Sequence, residues 1–236
     1  MQHRMPVEPS SKRLNKFSSQ LSLILRPAFK SVVSFALVLC AGCVALAWVT
    51  DGFTVLTAES ARQNAVAKQP MDLSVLNVRD QAGQPSVWPQ ALVEDGRISI
   101  VTFIYTRCKS ICSVLNAQYR QMQEELKRSG LQNRVRLLTV TFDPARDTLT
   151  VLAEHARALN IDEQVWHIVR PELDGELAVT LKRFGIVTVL DENGEYQHNA
   201  AWHVVDQRGK LVGIFPVDQP ERALQHALVL SSSLTP

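Results

Sequence analysis

Cysteine is scarce in this chain of 236 residues, with four in all. Cys40 and Cys43 fall inside an uncharged apolar run and read as small packing residues there. Only Cys108 and Cys112 remain for the rest of the chain, so at most one disulfide is available to it. Net charge is equally sparse. A formal value of +2 is too small to draw nucleic acid. Internal repeats and low-complexity tracts are absent, which argues against a solenoid. With 46% hydrophobic and 20% charged residues, the chain has enough apolar material for one well-buried domain plus an extra segment.

The only marked charge asymmetry is local. Residues 1–30 carry Arg4, Lys12, Arg13, Lys16, Arg26 and Lys30 against a single acid, Glu8, and the remainder is mildly acidic. Ser31 to Thr50 contains no charge, and about 20 such residues span a bilayer as a helix. The basic arm then stays on the inner side and everything after Asp51 is exported. A cleaved signal peptide is the competing reading. The Cys40-Ala-Gly-Cys43 string lacks the apolar residue that a lipoprotein cleavage site carries three positions before its cysteine, and the apolar run continues to Val49, which favours an uncleaved anchor. The arm fits a bacterial or a mitochondrial inner membrane alike.

Residues 51–70 read as a juxtamembrane helix or stalk, and 71–236 as the globular domain. Within it, Met71–Val78 alternates as a strand and Asp80–Gly83 is a turn. Ile98–Tyr105 is a β-branched, apolar run typical of a buried strand. Helical spacing runs from Val114 to Ser129 with Gly130 as its stop. A strand over Val135–Phe142 leads into Asp143-Pro-Ala-Arg-Asp-Thr148, where Asp147 or Thr148 caps a helix from Leu149 to Leu159. A strand over Val165–Val169, a helix over Glu172–Phe184, an Asn193-Gly194 hairpin ending at His198, a second hairpin over Trp202–Phe215 and a helix over Glu221–Leu230 complete the chain. This order predicts an α/β, thioredoxin-like fold: a central mixed sheet flanked by helices, preceded by one transmembrane helix.

Chemistry concentrates where the Ile98–Tyr105 strand ends. Cys108 and Cys112, four apart at a helix start, can close a disulfide or bind one soft metal ion, and the helix terminus stabilises a thiolate. Of the six histidines, His3 lies in the arm. His155 and His226 sit among charged neighbours and read as surface residues, and His167 as a core or edge residue. His198 and His203 remain, with His203 more consistent with packing. His198 ends the hairpin next to the strand that runs beside the dithiol, so it can supply a third ligand. Two thiolates and one imidazole suit Cu(I), tolerate Cu(II) and fall short of a structural zinc shell. On spacing alone, a structural disulfide with His198 as a surface residue stands level with this reading.

The strand and T-x-C-x-x-x-C unit over Phe103–Cys112, the Asp143–Thr148 loop, and His198 followed by Asp206 and Gly209 resemble, in order and spacing, the SCO/SenC family. The resemblance covers Met71 to the C-terminus. It implies a membrane-anchored thioredoxin fold holding one copper ion, Cu(I) or Cu(II), through Cys108, Cys112 and His198. It also implies a metallochaperone or thiol-reductant role in maturing the binuclear copper site of cytochrome c oxidase, with that enzyme's copper subunit or another copper protein as client. The expected location is an inner membrane, crossed once, with the C-terminal domain in the periplasm or the mitochondrial intermembrane space.

Family members usually read Cys-Pro-Asp-x-Cys-Pro, whereas this chain reads Cys108-Lys-Ser-Ile-Cys112-Ser. Arg107 and Lys109 therefore put two cations around Cys108 and are expected to favour its thiolate. The alternative function is an exported thiol–disulfide oxidoreductase. Such enzymes normally space their cysteines by two residues and place a cis-proline before the strand facing the dithiol, yet no proline lies between Glu172 and Phe215.

Overall fold

Strand β4, Ile98–Ile104, is buried along its whole length and lies at the middle of an eight-stranded mixed sheet. The computed structural model describes residues 34–48, 57–108 and 110–232. The chain divides into two units, Met1–Ser60 and Ala61–Pro236. In the first, residues 34–48 form helix α1, which exposes Phe35, Leu37, Val38, Val44 and Trp48. Among the described residues no helix is long and apolar enough to cross a membrane. The expected span over 31–50 and the stalk over 51–70 lie partly, and the basic arm over 1–30 wholly, outside the described residues.

The other elements are α2 (Ala58–Lys68), β1 (Met71–Asp72), β2 (Leu76–Asp80), β3 (Pro85–Trp88), α3 (Gln90–Asp95), then, after β4, α4 (Ile111–Arg128), β5 (Val135–Thr141), α5 (Leu149–Leu159), β6 (Trp166–Pro171), α6 (Asp174–Phe184), β7 (Thr188–Leu190), β8 (Tyr196–His198), β9 (Ala201–Val205), β10 (Lys210–Pro216) and α7 (Pro220–Ser232). The main sheet runs β1-β10-β9-β4-β5-β6-β2-β3, with β4–β5 and β5–β6 parallel and the other pairings antiparallel. Strands β7 and β8 form a separate two-stranded sheet.

Strands β4, β5 and β9 are buried on both faces, as their near-continuous apolar sequences require. Tyr119 of α4 is fully buried, and its hydroxyl donates to the carbonyl of Ile100, 2.7 Å away, which ties that helix to β4. Parallel pairing puts the carboxyl ends of β4 and β5 side by side, Ile104 opposite Thr141, and antiparallel β9 brings its amino end to the same edge. The dithiol segment, the Asp143–Thr148 loop and the hairpin before β9 all leave the sheet there.

The far end of β9 explains the Asp206 and Gly209 spacing. The buried Asp206 carboxylate accepts the backbone N–H groups of Arg208 and Lys210, at 3.0 and 2.8 Å, and so builds the turn into β10. Gly209 adopts φ +70°, and a β-carbon there would lie 2.8 Å from the side chain of Pro89.

Two expectations need correction, and one alternative is decided. The single strand over Met71–Val78 is two: β1 pairs with β10 at one edge of the sheet, and β2 pairs with β3 and β6 towards the other. Between them the Ser74 hydroxyl makes a 3.0 Å hydrogen bond with that of Thr180 on α6. Alternation fixes which side chains share a face, but not to which edge a strand belongs. Helix α4 begins at Ile111 rather than Val114, so Cys112 lies inside its first turn. Thr148 caps α5 by accepting from the Val151 N–H, whereas Asp147 is fully buried and has another task.

Candidate metal centre

The segment between β4 and α4 is held by side chains rather than by a regular turn alone. The Cys108 N–H donates to the carbonyl of Tyr105, 3.2 Å away. One step earlier, both the N–H and the hydroxyl of Thr106 donate to the carboxylate of Asp147, which also accepts the hydroxyl of Thr141. A buried carboxylate thus finds three donors and anchors the Cys108 loop to the end of β5.

Helix α4 starts without a side-chain oxygen cap at Ser110. The free N–H of Cys112 points instead at the sulfur of Cys108, 3.4 Å away, which takes the position a capping oxygen normally fills. Cys108 is half-buried, and Cys112 is 1% exposed. Burial, followed by the hydrogen bond with Cys108, pushes the Cys112 thiol well above the usual thiol range. Arg107 is exposed, and Lys109 lies outside the described residues; burial raises the Asp143 pKa, with Arg146 and, more weakly, Arg107 opposing it.

His198, the last residue of β8, faces the pair. Its Nδ1 lies 2.9 Å from the carbonyl of Asn199, an acceptor only, so the neutral ring carries its proton on Nδ1. The lone pair of Nε2 is then aimed at Cys112 Sγ, 3.6 Å away. Burial lowers the His198 pKa and the Asn199 carbonyl opposes it, so the ring is neutral at pH 7. The ligand atoms of Cys108, Cys112 and His198 all lie within 4.8 Å of one another. Two sulfurs and an imidazole nitrogen form a soft, three-donor set, which fits a copper ion better than a four-ligand zinc site.

The ring of His198 packs edge-on against Phe142, with centroids 4.9 Å apart, and lies 6.1 Å from Tyr105. Tyr105 is itself buried; its phenol is pushed up to about 12 by burial, with the hydrogen bond to Glu195 adding to it. None of these aromatic residues was singled out by the sequence reading. The apolar run marks Tyr105 and Phe142 as strand ends, but nothing local shows that both meet Tyr196.

The other histidines sit elsewhere. His203 is fully buried on β9, with Nε2 2.9 Å from the carbonyl of Phe184 and Nδ1 3.3 Å from that of Val101, a packing role as expected. His167 is partly buried, 3.7 Å from Asp80. His155 and His226 are not solvated surface residues. His155 lies 3.3 Å from the Asn116 amide and His226 packs against Phe215, and burial lowers the pKa of both. Arg222, one turn before His226, lies over the same Phe215 ring, 5.9 Å from its centroid. His3 is outside the described residues, and Cys40 and Cys43 are exposed on α1.

Comparison with known proteins gives these features a family. The profile of the SCO1/SenC family matches residues 80–230. The SCO1 protein homolog of Bacillus subtilis (strain 168) is 26% identical over 120 residues, which is 50% of this chain and 61% of that protein, less than two thirds of its length. Among solved structures, a SCO1/SenC family lipoprotein from Bacillus anthracis str. Ames is similar with a TM-score of 0.61 at 20% identity, covering 70% of this chain and 98% of that one. ScoI of Bradyrhizobium japonicum, solved with copper bound, has a TM-score of 0.55 at 19% identity, covering 67% and 99%. The structural likenesses establish a thioredoxin-like fold, and because the matching profile runs through well over half of its residues, this chain belongs to the SCO1/SenC family.

Proposed function

We propose that this chain is a membrane-tethered copper-binding protein that carries one copper ion on Cys108, Cys112 and His198. It serves maturation of the binuclear copper site of cytochrome c oxidase, as a metallochaperone or as a thiol reductant for that site. The observation that carries the reading is the convergence of two sulfurs and one imidazole nitrogen within 4.8 Å, from a loop, a helix and a separate hairpin. Membership of the SCO1/SenC family supports it, as does the copper held by the Bradyrhizobium japonicum relative.

Each side chain has a distinct task. Half-buried Cys108, served by the Cys112 N–H, is the thiol that an incoming partner reaches first. Buried Cys112 gives up its proton only when a cation or a new sulfur–sulfur bond replaces it. His198 is neutral, and its Nε2 lone pair faces the sulfurs. Bound copper would supply a one-electron couple, Cu(I) resting on the two thiolates and Cu(II) using the imidazole as well. As a reductant, the same thiols lose two electrons and two protons and close a disulfide.

The tether is the uncharged stretch 31–50 behind a basic arm, with the domain over 71–236 in the periplasm or the intermembrane space. The apolar side chains exposed along α1 support an anchor.

The test is copper binding by the reduced full-length chain in competition with a chelator. One ion should bind, and Cys108→Ala or Cys112→Ala should each abolish retention, because one thiolate and an imidazole leave the ion underligated. Retention by either single-thiol variant at the parent level would overturn the ligand set.

A further inference from the structure

From the contacts of two adjacent side chains, we infer that the Asp143–Thr148 loop sets the spacing between the thiol pair and the imidazole, and that Arg146 is the positioning residue for His198. The inference rests on the reading of Cys108, Cys112 and His198 as one metal site. Among the described residues β8 pairs with β7 alone, so no ladder of the main sheet holds His198 over the sulfurs. Side chains must do it.

Arg146 Nη1 donates to the carbonyl of Gly194 at the hairpin tip, 2.7 Å away, while its guanidinium lies over the ring of Tyr196, 5.8 Å from the centroid. Asp143 Oδ2, at 3.4 Å, orients the same guanidinium. Phe142, at the head of the loop, meets both Tyr196 and His198 edge-on. The Tyr105 hydroxyl completes the seam: it donates to Glu195, 2.8 Å away, and accepts from the Tyr196 N–H at 3.3 Å.

The next residue along, Asp147, grips the other half of the site through Thr106, two positions before Cys108. Consecutive α-carbons are about 3.8 Å apart across a rigid peptide unit. The side chain that fixes the thiol segment and the one that fixes the imidazole hairpin therefore cannot move independently. Arginine suits the task because its planar fork can donate and stack at once, which a lysine ammonium cannot.

The test compares the full-length chain with Arg146→Ala and Arg146→Lys. In the metal-free protein, hydrogen exchange at the Tyr196 amide reads the docking of the hairpin directly, because that N–H crosses the seam to Tyr105. Losing a charge-assisted contact should speed its exchange about tenfold in Arg146→Ala. Arg146→Lys should recover part of the difference, and exchange along β4 should stay at the parent rate. In the Cu(II)-loaded protein, the imidazole nitrogen coupling in the electron paramagnetic resonance spectrum should weaken in Arg146→Ala while sulfur ligation remains. Parent-like exchange at Tyr196 in Arg146→Ala would overturn the inference. So would equal acceleration in β4 and β8, which would make Arg146 a general fold residue. If the parent shows no nitrogen coupling, the fault lies with the metal site, and Tyr196 exchange alone decides the role of Arg146.

Discussion

The backbone N–H of Cys112 points at the sulfur of Cys108, 3.4 Å away, so the helix that carries one thiol is capped by the other. The two cysteines are therefore inequivalent before any metal or partner arrives. One is half-buried and receives a donor; the other is almost fully buried, and burial holds its proton on.

That inequivalence sets the order of alkylation. At pH 7–8 the reduced, metal-free chain should be modified by iodoacetamide first at Cys108, with Cys112 slower by about tenfold or more, since the thiolate is the nucleophile. Peptide mass spectrometry over a time course reads the order. Equal rates at the two sites would show that the first turn of α4 does not shield Cys112.

Legibility in the sequence followed how local each signal was. The buried β4 strand, the dithiol at a helix start and the Asn193-Gly194 hairpin are short-range patterns, and each is present in the structure. The meeting of His198 with the thiols depends on the hairpin folding back over 86 residues of sequence; its place beside the dithiol strand made it a candidate ligand, and only the family resemblance raised that reading above a surface histidine. Phe142, Arg146 and Asp147 were hidden for the same reason. Their loop reads as a helix cap, and a buried carboxylate serving Thr106 and Thr141 looks the same in sequence as an exposed capping one. The start of α4 was misplaced because its cap is a sulfur two positions before the conventional capping residue, a pattern that apolar periodicity does not carry.

Stability should be flat in the middle of the pH range and fall on both sides. Burial lowers the His198 pKa, so the folded state resists taking up that proton. Its contribution is complete above about pH 6.5 and is lost as pH falls below that value. His155, His167 and His226 act with the same sign. Cys112 has the opposite sign: its raised pKa contributes fully below about pH 8.5 and is eroded as pH rises above it, where the unfolded thiol ionises first. Thermal unfolding of the reduced, metal-free chain should show this plateau. A midpoint that climbs steadily from pH 6.5 to 9.5 would contradict the Cys112 assignment.

Two histidines five residues apart should behave in opposite ways. His198→Ala should weaken Cu(II) retention more than Cu(I), because Cu(I) accepts two-thiolate coordination, and should cost about 1 kcal/mol of stability. His203→Ala leaves a cavity against Phe103 and Phe184 and strips the donor from a buried carbonyl, and should cost about 2–4 kcal/mol with Cu(II) nitrogen coupling intact. Chemical denaturation and the Cu(II) spectrum of each variant separate the roles. Loss of nitrogen coupling in His203→Ala alone would reverse the assignment.

The central claim is that Cys108 and Cys112 hold copper as free thiols and not as a disulfide. Copper per full-length chain should therefore be counted after equilibration with Cu(I) and gel filtration, once with the dithiol reduced and once with the pair oxidised. The account predicts one ion per reduced chain and none on the oxidised chain. Equal copper on both forms, or none on the reduced form, would contradict it.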